Sequence, residues 1–215
     1  VRKPWFVLVG GINGAGKSTF SQSPVTLVRL VRLSKAAEIR VINPDTVTRA
    51  IVAEYPRMKL ADANKRAAEQ CIEDVKSTLE RRREHFLIET VLSTDKYQPI
   101  VERALTLGWQ FLFVYVALRT VDEAILRVAS RVSHGGHDVP TAKVRSRWPR
   151  SLERMPWFWK RATAAALFLN ESNFESPKLL ALKLRGWSRF SEGAECPHAV
   201  GPILAATAET CGVST

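Results

Sequence analysis

Gly11-Ile12-Asn13-Gly14-Ala15-Gly16-Lys17-Ser18-Thr19 satisfies the pattern G-x-x-x-x-G-K-[ST] directly after the apolar run at residues 5–9. A strand before it and a helix-compatible segment after it are the context that this pattern requires. Glycines admit positive φ and close backbone approach, so the N–H groups of Asn13, Gly14, Ala15 and Gly16 can converge on phosphate oxygens. Lys17 would add a point charge, and Ser18 a hydroxyl for Mg²⁺, which prefers hard oxygen ligands. Thr19 completes the candidate nucleotide-binding set. The blander reading is a glycine-rich strand-to-helix turn that binds nothing.

Working outward, apolar β-rich runs recur at 5–9, 39–42, 85–90, 110–116 and 165–169, with helix-period segments between them. That alternation predicts an α/β fold, a phosphate-loop NTPase with a kinase-like parallel sheet of about five strands and helices on both faces. The longest helical stretch, 61–83, puts Ala67, Cys71, Val75 and Leu79 on one stripe and ends in Arg81, Arg82 and Arg83, cations suited to a helix C-terminus. Periodicity fades beyond Gly186, so residues 1–185 are read as one folded domain and 186–215 as a low-order tail.

The chain has 215 residues, 46% hydrophobic and 25% charged, the range of a single globular domain. Its longest apolar run, 111–118, is far short of the roughly 20 residues that span a bilayer. No charged-then-apolar leader precedes the first strand, so a soluble cytoplasmic protein without a membrane role is expected. Cys71, Cys196 and Cys211 are odd in number and too widely spaced for a disulfide framework or a zinc ribbon. The net charge of +11 points to phosphate-rich partners. Residues 186–215 hold Arg189 against Glu192, Glu195 and Glu209, so the positive excess belongs to the folded part.

Asn43-Pro44-Asp45 follows the run at 39–42, placing Asp45 at the carboxyl end of a strand, where open α/β sheets bind their ligands. A carboxylate there can take the proton of an attacking hydroxyl. The alternative is that Asp45 caps the next helix. Glu89 closes the run at 85–90 and can orient an acceptor or the Mg²⁺ water shell; otherwise it is a carboxylate paired with local bases.

Between Arg119 and Arg161 ten Lys and Arg face four Asp and Glu. Arg127 and Arg131 share a helix face by their i, i+4 spacing. Gly135-Gly136 then reads as a hinge, followed by Arg145, Arg147 and Arg150. A lid around 131–147 could close over ATP, with two or three guanidinium groups neutralising the transferring phosphoryl group. The rest fit a solvated face, because Lys143, Arg147, Arg150 and Arg154 lie opposite Val144, Trp148, Leu152 and Met155. Pro149 predicts a break in that helix near Arg147. His134 and His137 lack a carboxylate or cysteine partner and read as loop residues.

Taken together, Gly11 to Phe20, Asn43-Pro44-Asp45, Glu89-Thr90, Arg127-Val128-x-x-Arg131-Val132-x-x-Gly135-Gly136-His137-x-Val139-Pro140 and Arg145-x-Arg147-Trp148-x-Arg150-Ser151-Leu152 resemble the zeta-toxin family of phosphate-loop kinases. The likeness is greatest to its bacterial branch described as predicted ABC-type ATPases. It runs in order from about residue 5 to 185, ending at Phe168-Leu169-Asn170-Glu171-Ser172. The resemblance implies ATP with Mg²⁺ and transfer of the γ-phosphate to a hydroxyl of a small molecule, UDP-N-acetylglucosamine in zeta toxins, with a small antitoxin as a partner. By matching position it makes Asp45 the general base and Glu89 the substrate-side carboxylate. Lys17 and Ser18 become the phosphate and metal contacts, and Arg131 the lid arginine. His137 stands where some members carry a second lid arginine, a role left to Arg145 or Arg147. Ile12 stands where relatives often have Pro, at a position expected to point away from the phosphates.

Two other classes stay in view. A transport or motor ATPase would need an L-S-G-G-Q signature, and Ser133-His134-Gly135-Gly136-His137 lacks the Gln; a GTPase would need N-K-x-D, which is absent. A nucleic-acid-binding module would use the basic segment itself and bind with steep salt dependence.

Overall fold

The computed structural model describes residues 3–22, 39–81, 84–136, 138–171 and 177–184, and the backbone of 187–190. In chain order the elements are β1 (Trp5–Gly10), α1 (Lys17–Ser21), β2 (Arg40–Ile42), α2 (Pro44–Glu54), α3 (Leu60–Arg81), β3 (Phe86–Thr90), α4 (Gln98–Thr106), β4 (Gln110–Ala117), α5 (Val121–Ser133), α6 (Thr141–Arg161), β5 (Ala164–Leu169), β6 (Lys178–Leu184) and β7 (Trp187–Phe190).

All seven strands form one sheet in the order β2-β3-β1-β4-β5-β6-β7. The five strands expected from the apolar runs make its parallel part, and β6 and β7 add an antiparallel edge. β1 is buried at every residue. Along it Phe6 and Leu8 join a core with α3, α4 and α6, while Trp5, Val7 and Val9 join a second core with α1 and α5. Period-two alternation with apolar residues on both faces therefore appears in the sequence as an unbroken run.

The chain steps from β1 out to β2, back to β3, then across β1 to β4. This puts the reversal of strand order at the carboxyl end of β1, the place where such sheets open a crevice. The phosphate-loop sequence leaves β1 at that point. The stripe Ala67, Cys71, Val75 and Leu79 is buried, as the helical spacing predicts. Among the described residues no helix is long and apolar enough to cross a membrane.

Two expectations are corrected. The sheet continues into the segment expected as a tail: Trp187–Phe190 forms β7 against β6. Residues 191–215 lie outside the described residues. The expected break near Arg147 does not occur, since α6 runs unbroken with Pro149 and Pro156 inside it. Packing overrides the local preference. Val144 sits in the second core, Trp148 touches both cores, and Leu152, Met155, Phe158 and Trp159 are buried in the first. At about 1.5–3 kcal/mol for each large side chain buried, these contacts outweigh the roughly 3 kcal/mol that an interior proline costs.

Ser151, fully buried on α6, fastens that helix to the loop after β3. Its Oγ donates to the Val91 carbonyl at 2.7 Å and accepts from the Tyr115 hydroxyl at 2.8 Å, because one hydroxyl has only one proton to give. Replacing Pro149 with Ala should raise stability by about 2 kcal/mol in urea unfolding, the helix penalty less the entropy gained by the unfolded chain. Ser151→Ala should lower it by about 1–3 kcal/mol by stranding the buried Tyr115 hydroxyl and the half-buried Val91 carbonyl.

Candidate active site

The phosphate loop closes on itself at Ile12. The Ile12 carbonyl accepts from the Ala15 N–H at 3.1 Å and from Lys17 Nζ at 3.0 Å. Ile12 itself is 2% exposed and packed in the second core, so its side chain points away from the crevice, as expected. Burial lowers the Lys17 pKa to about 8; Glu89 and Asp45 pull it back up, while Arg131 and Arg147 push it down further. These five side chains, drawn from five different elements, thus share one electrostatic neighbourhood.

After β2, Asn43 and Pro44 settle which residue caps α2. Asn43 is the N-cap of α2, its Oδ1 accepting from the Asp45 N–H at 2.9 Å, and Pro44 takes the first helical position. Asp45 is therefore not the cap. Its exposed carboxylate sits in the first turn, where the helix dipole favours negative charge. Glu89, at the end of β3, accepts from Ser18 Oγ through Oε2 at 2.8 Å, joining two hard oxygen donors beside Lys17. Asn13, Gly14, Lys17, Ser18, Asp45, Glu89, Arg131 and Arg147 all line one cavity of about 490 Å³.

The glycine pair expected as a hinge stops α5. Gly135 N–H bonds to the Val132 carbonyl and Gly136 N–H to the Arg131 carbonyl, both at 2.9 Å, with Gly135 left-handed, which is a Schellman turn. A Cβ on Gly136 would come within 2.5 Å of Arg131 Cγ, so the stem of Arg131 lies against that glycine and its head enters the cavity. His137 lies outside the described residues.

Arg147 also reaches the crevice, donating to Asn13 Oδ1 at 3.2 Å. Two other candidate arginines do not line it. Arg127 sits behind the loop, donating to the Asn170 carbonyl at 2.9 Å. Arg145 pairs with Asp122 at 2.8 Å. Two residues along a helix from Arg147, it projects roughly 200° around the axis and cannot share that face. Ala15, which is buried, Gly16 and the exposed Thr19 do not line the cavity.

The solvated stripe expected on α6 is also broken up: Arg147 is half-buried at the loop, and Arg154 pairs with Asp95 at 2.7 Å. Sequence reasoning overlooked Lys96 and Lys143 in the cavity lining, the Asn43 cap and the side chain of Asn170. Asn-Pro-Asp is a readable cap signal. Asn170, like Asp45, sits just past a strand's carboxyl end, so the rule that singled out Asp45 applied to it as well.

No curated protein matches the chain in sequence. Among solved structures it is similar to the AvrRxo1-ORF1:AvrRxo1-ORF2 complex with sulphate ions, at 15% identity and a TM-score of 0.68, covering 99% of this chain and 66% of that one. The chain thus spans just under two thirds of that protein's length. It is similar to a structure of the PezAT chromosomal toxin-antitoxin system of Streptococcus pneumoniae, at 13% identity and a TM-score of 0.58, covering 98% and 86%. It is also similar to a kinase-type structure from Chloroflexus aurantiacus, at 17% identity and a TM-score of 0.53, covering 68% and 78%. At these identities the likeness shows a shared fold, the phosphate-loop kinase fold already evident from the sheet order. The sequence profile described as AAA domain matches residues 6–154, more than half of the chain and all of the crevice up to α6, so the protein belongs to the AAA domain family.

Proposed function

We propose that the protein is an ATP-dependent phosphotransferase that moves the γ-phosphate of Mg-ATP to a hydroxyl of a small molecule. The observation that carries this reading is the single cavity in which the phosphate loop, Asp45 and Glu89 meet. Lys17 and the loop N–H groups hold the triphosphate. Arg131 and Arg147 offset the charge that spreads over the transferring group. Asp45 accepts the acceptor's hydroxyl proton as the oxygen bonds to the terminal phosphorus, the bond to the bridging oxygen breaks, and ADP leaves.

The donor set suits Mg²⁺. Among the described residues no group of three or more His, Cys, Asp or Glu is placed to hold a metal ion by itself. The Ser18–Glu89 pair offers a few hard oxygens, which is how Mg²⁺ binds alongside phosphate and water. Ser18 would ligate the ion directly and Glu89 would orient its water, and the bound ion would neutralise phosphate charge. Lys96, Lys143 and Arg147 on the cavity wall favour an anionic acceptor, consistent with a nucleotide sugar such as UDP-N-acetylglucosamine. A small blocking protein is part of the same proposal, by likeness to the toxin-antitoxin structure.

Incubating the protein with Mg-ATP and a panel of nucleotide sugars should give a phosphorylated product by mass spectrometry. Asp45→Asn should lower turnover about 100-fold or more while changing the Mg-ATP dissociation constant by only about a few-fold, through the loss of its pull on Lys17. A wild-type protein that takes up no Mg-ATP, or an Asp45→Asn variant with full turnover, would overturn the reading.

The pH dependence has a definite sign. With a Lys17 pKa of about 8 in the free protein, the ammonium is largely lost above that pH. Phosphate binding favours the charged form, so it must then take up a proton. Mg-ATP affinity measured by calorimetry should fall as pH rises through about 8, and Lys17→Met should flatten that fall as well as weaken binding.

A further inference from the structure

Asn170 is the first residue after β5 and is 8% exposed. Its backbone is held from two sides: its N–H donates to the Ala117 carbonyl at 3.0 Å, and its carbonyl accepts from Arg127 Nη2 at 2.9 Å. Its side chain reaches the phosphate loop, where Nδ2 donates to the buried Ala15 carbonyl at 2.9 Å. Gly16, next in the chain, has φ +88°, and a Cβ there would lie 2.5 Å from Asn170 Nδ2. The carboxamide thus fills the space beneath the loop that a side chain on Gly16 would need.

A planar trans peptide points its carbonyl and the following N–H in opposite directions. Drawing the Ala15 carbonyl toward Asn170 therefore turns the Gly16 N–H away from Asn170. The carboxamide has no equivalent alternative orientation, because turned over it would set Oδ1 against the Ala15 oxygen, acceptor against acceptor. The chosen orientation leaves Oδ1 buried with no hydrogen-bond partner among the described residues. A buried orphan acceptor is unfavourable, and here it accompanies the one placement that supplies Ala15 with a donor.

We propose that Asn170 is a positioning residue for the triphosphate: its carboxamide sets the plane of the Ala15–Gly16 peptide and so aims the Gly16 N–H at a phosphate oxygen. Arg127 holds Asn170 in place and acts through it rather than on phosphate. The inference rests on the nucleotide reading above and adds to it a residue just past the far strand of the parallel sheet.

The test compares wild type, Asn170→Ala and Asn170→Asp by calorimetry with Mg-ATP and with magnesium tripolyphosphate, which has no base or sugar. Asn170→Ala should weaken both ligands by the same factor, about tenfold, because the loss lies at the phosphates. Asn170→Asp cannot donate as a carboxylate but can when protonated. Its deficit relative to Asn170→Ala should therefore shrink as pH falls from about 8 to about 5, a recovery that a purely structural role would not produce. Unchanged binding in Asn170→Ala, or a deficit in Asn170→Asp that ignores pH, overturns the proposal.

Should either variant fail to fold, the wild-type protein still decides the matter. On titration with magnesium tripolyphosphate the Gly16 amide resonance must shift, and a resonance that stays in place refutes the assignment. Wild-type protein that binds neither ligand defeats the nucleotide reading itself. Wild-type binding matched by Asn170→Ala removes Asn170 alone.

Discussion

Turning several backbone N–H groups toward one point obliges the intervening carbonyls to face the protein, where each must find a donor. Much of the architecture around the phosphate loop answers that requirement. The Ile12 carbonyl is met by the Ala15 N–H and Lys17 Nζ, the Gly16 carbonyl by the Phe20 N–H that begins α1, and the Ala15 carbonyl by Asn170. Two parts of the chain, 155 positions apart at Ala15 and Asn170, are needed to satisfy a loop of a few residues. Burying β1 on both faces gives that loop a rigid base, since its last residues cannot move without disturbing β3 and β4.

The other side of the crevice is set by α6. Arg147 contacts Asn13 in the phosphate loop, and Ser151, one turn further on, holds the Val91 carbonyl just beyond Glu89. A single helix thus spaces the loop that would hold the nucleotide from the segment that follows β3. The tension introduced by Pro149 is tolerated because the helix is anchored on both sides of it, by Val144 and by the aromatic cluster ending at Trp159. The stop at Gly135 and Gly136 does the corresponding work for α5, ending it so that Arg131 enters the cavity.

Local signals were strong where one short segment holds all the necessary information. β1, β3, β4 and β5 carry continuous apolar runs, α3 has a clear stripe, and the phosphate loop is a contiguous pattern whose residues must be adjacent to function. Signals were weak wherever partners are far apart in the chain. β6, with its Lys-Leu-Leu-Ala-Leu-Lys-Leu composition, favours a helix as readily as a strand, and pairing with β5 decides for the strand. The arginines of α5 and α6 look equivalent on paper. Their separation into crevice residues, Arg131 and Arg147, and residues serving elsewhere, Arg127 and Arg145, depends on how each helix is rotated against the sheet.

By itself the sequence determined that this is a phosphate-loop α/β protein, and it marked Lys17, Ser18, Asp45 and Glu89, because strand ends and glycine loops are short-range features. Only the tertiary structure decided that Ser18 and Glu89 touch, that Asn43 rather than Asp45 caps α2, and that Asn170 underpins the loop. Those facts concern the direction of side chains across a folded sheet. Direction emerges only when both cores are packed and every buried polar group has competed for its partner.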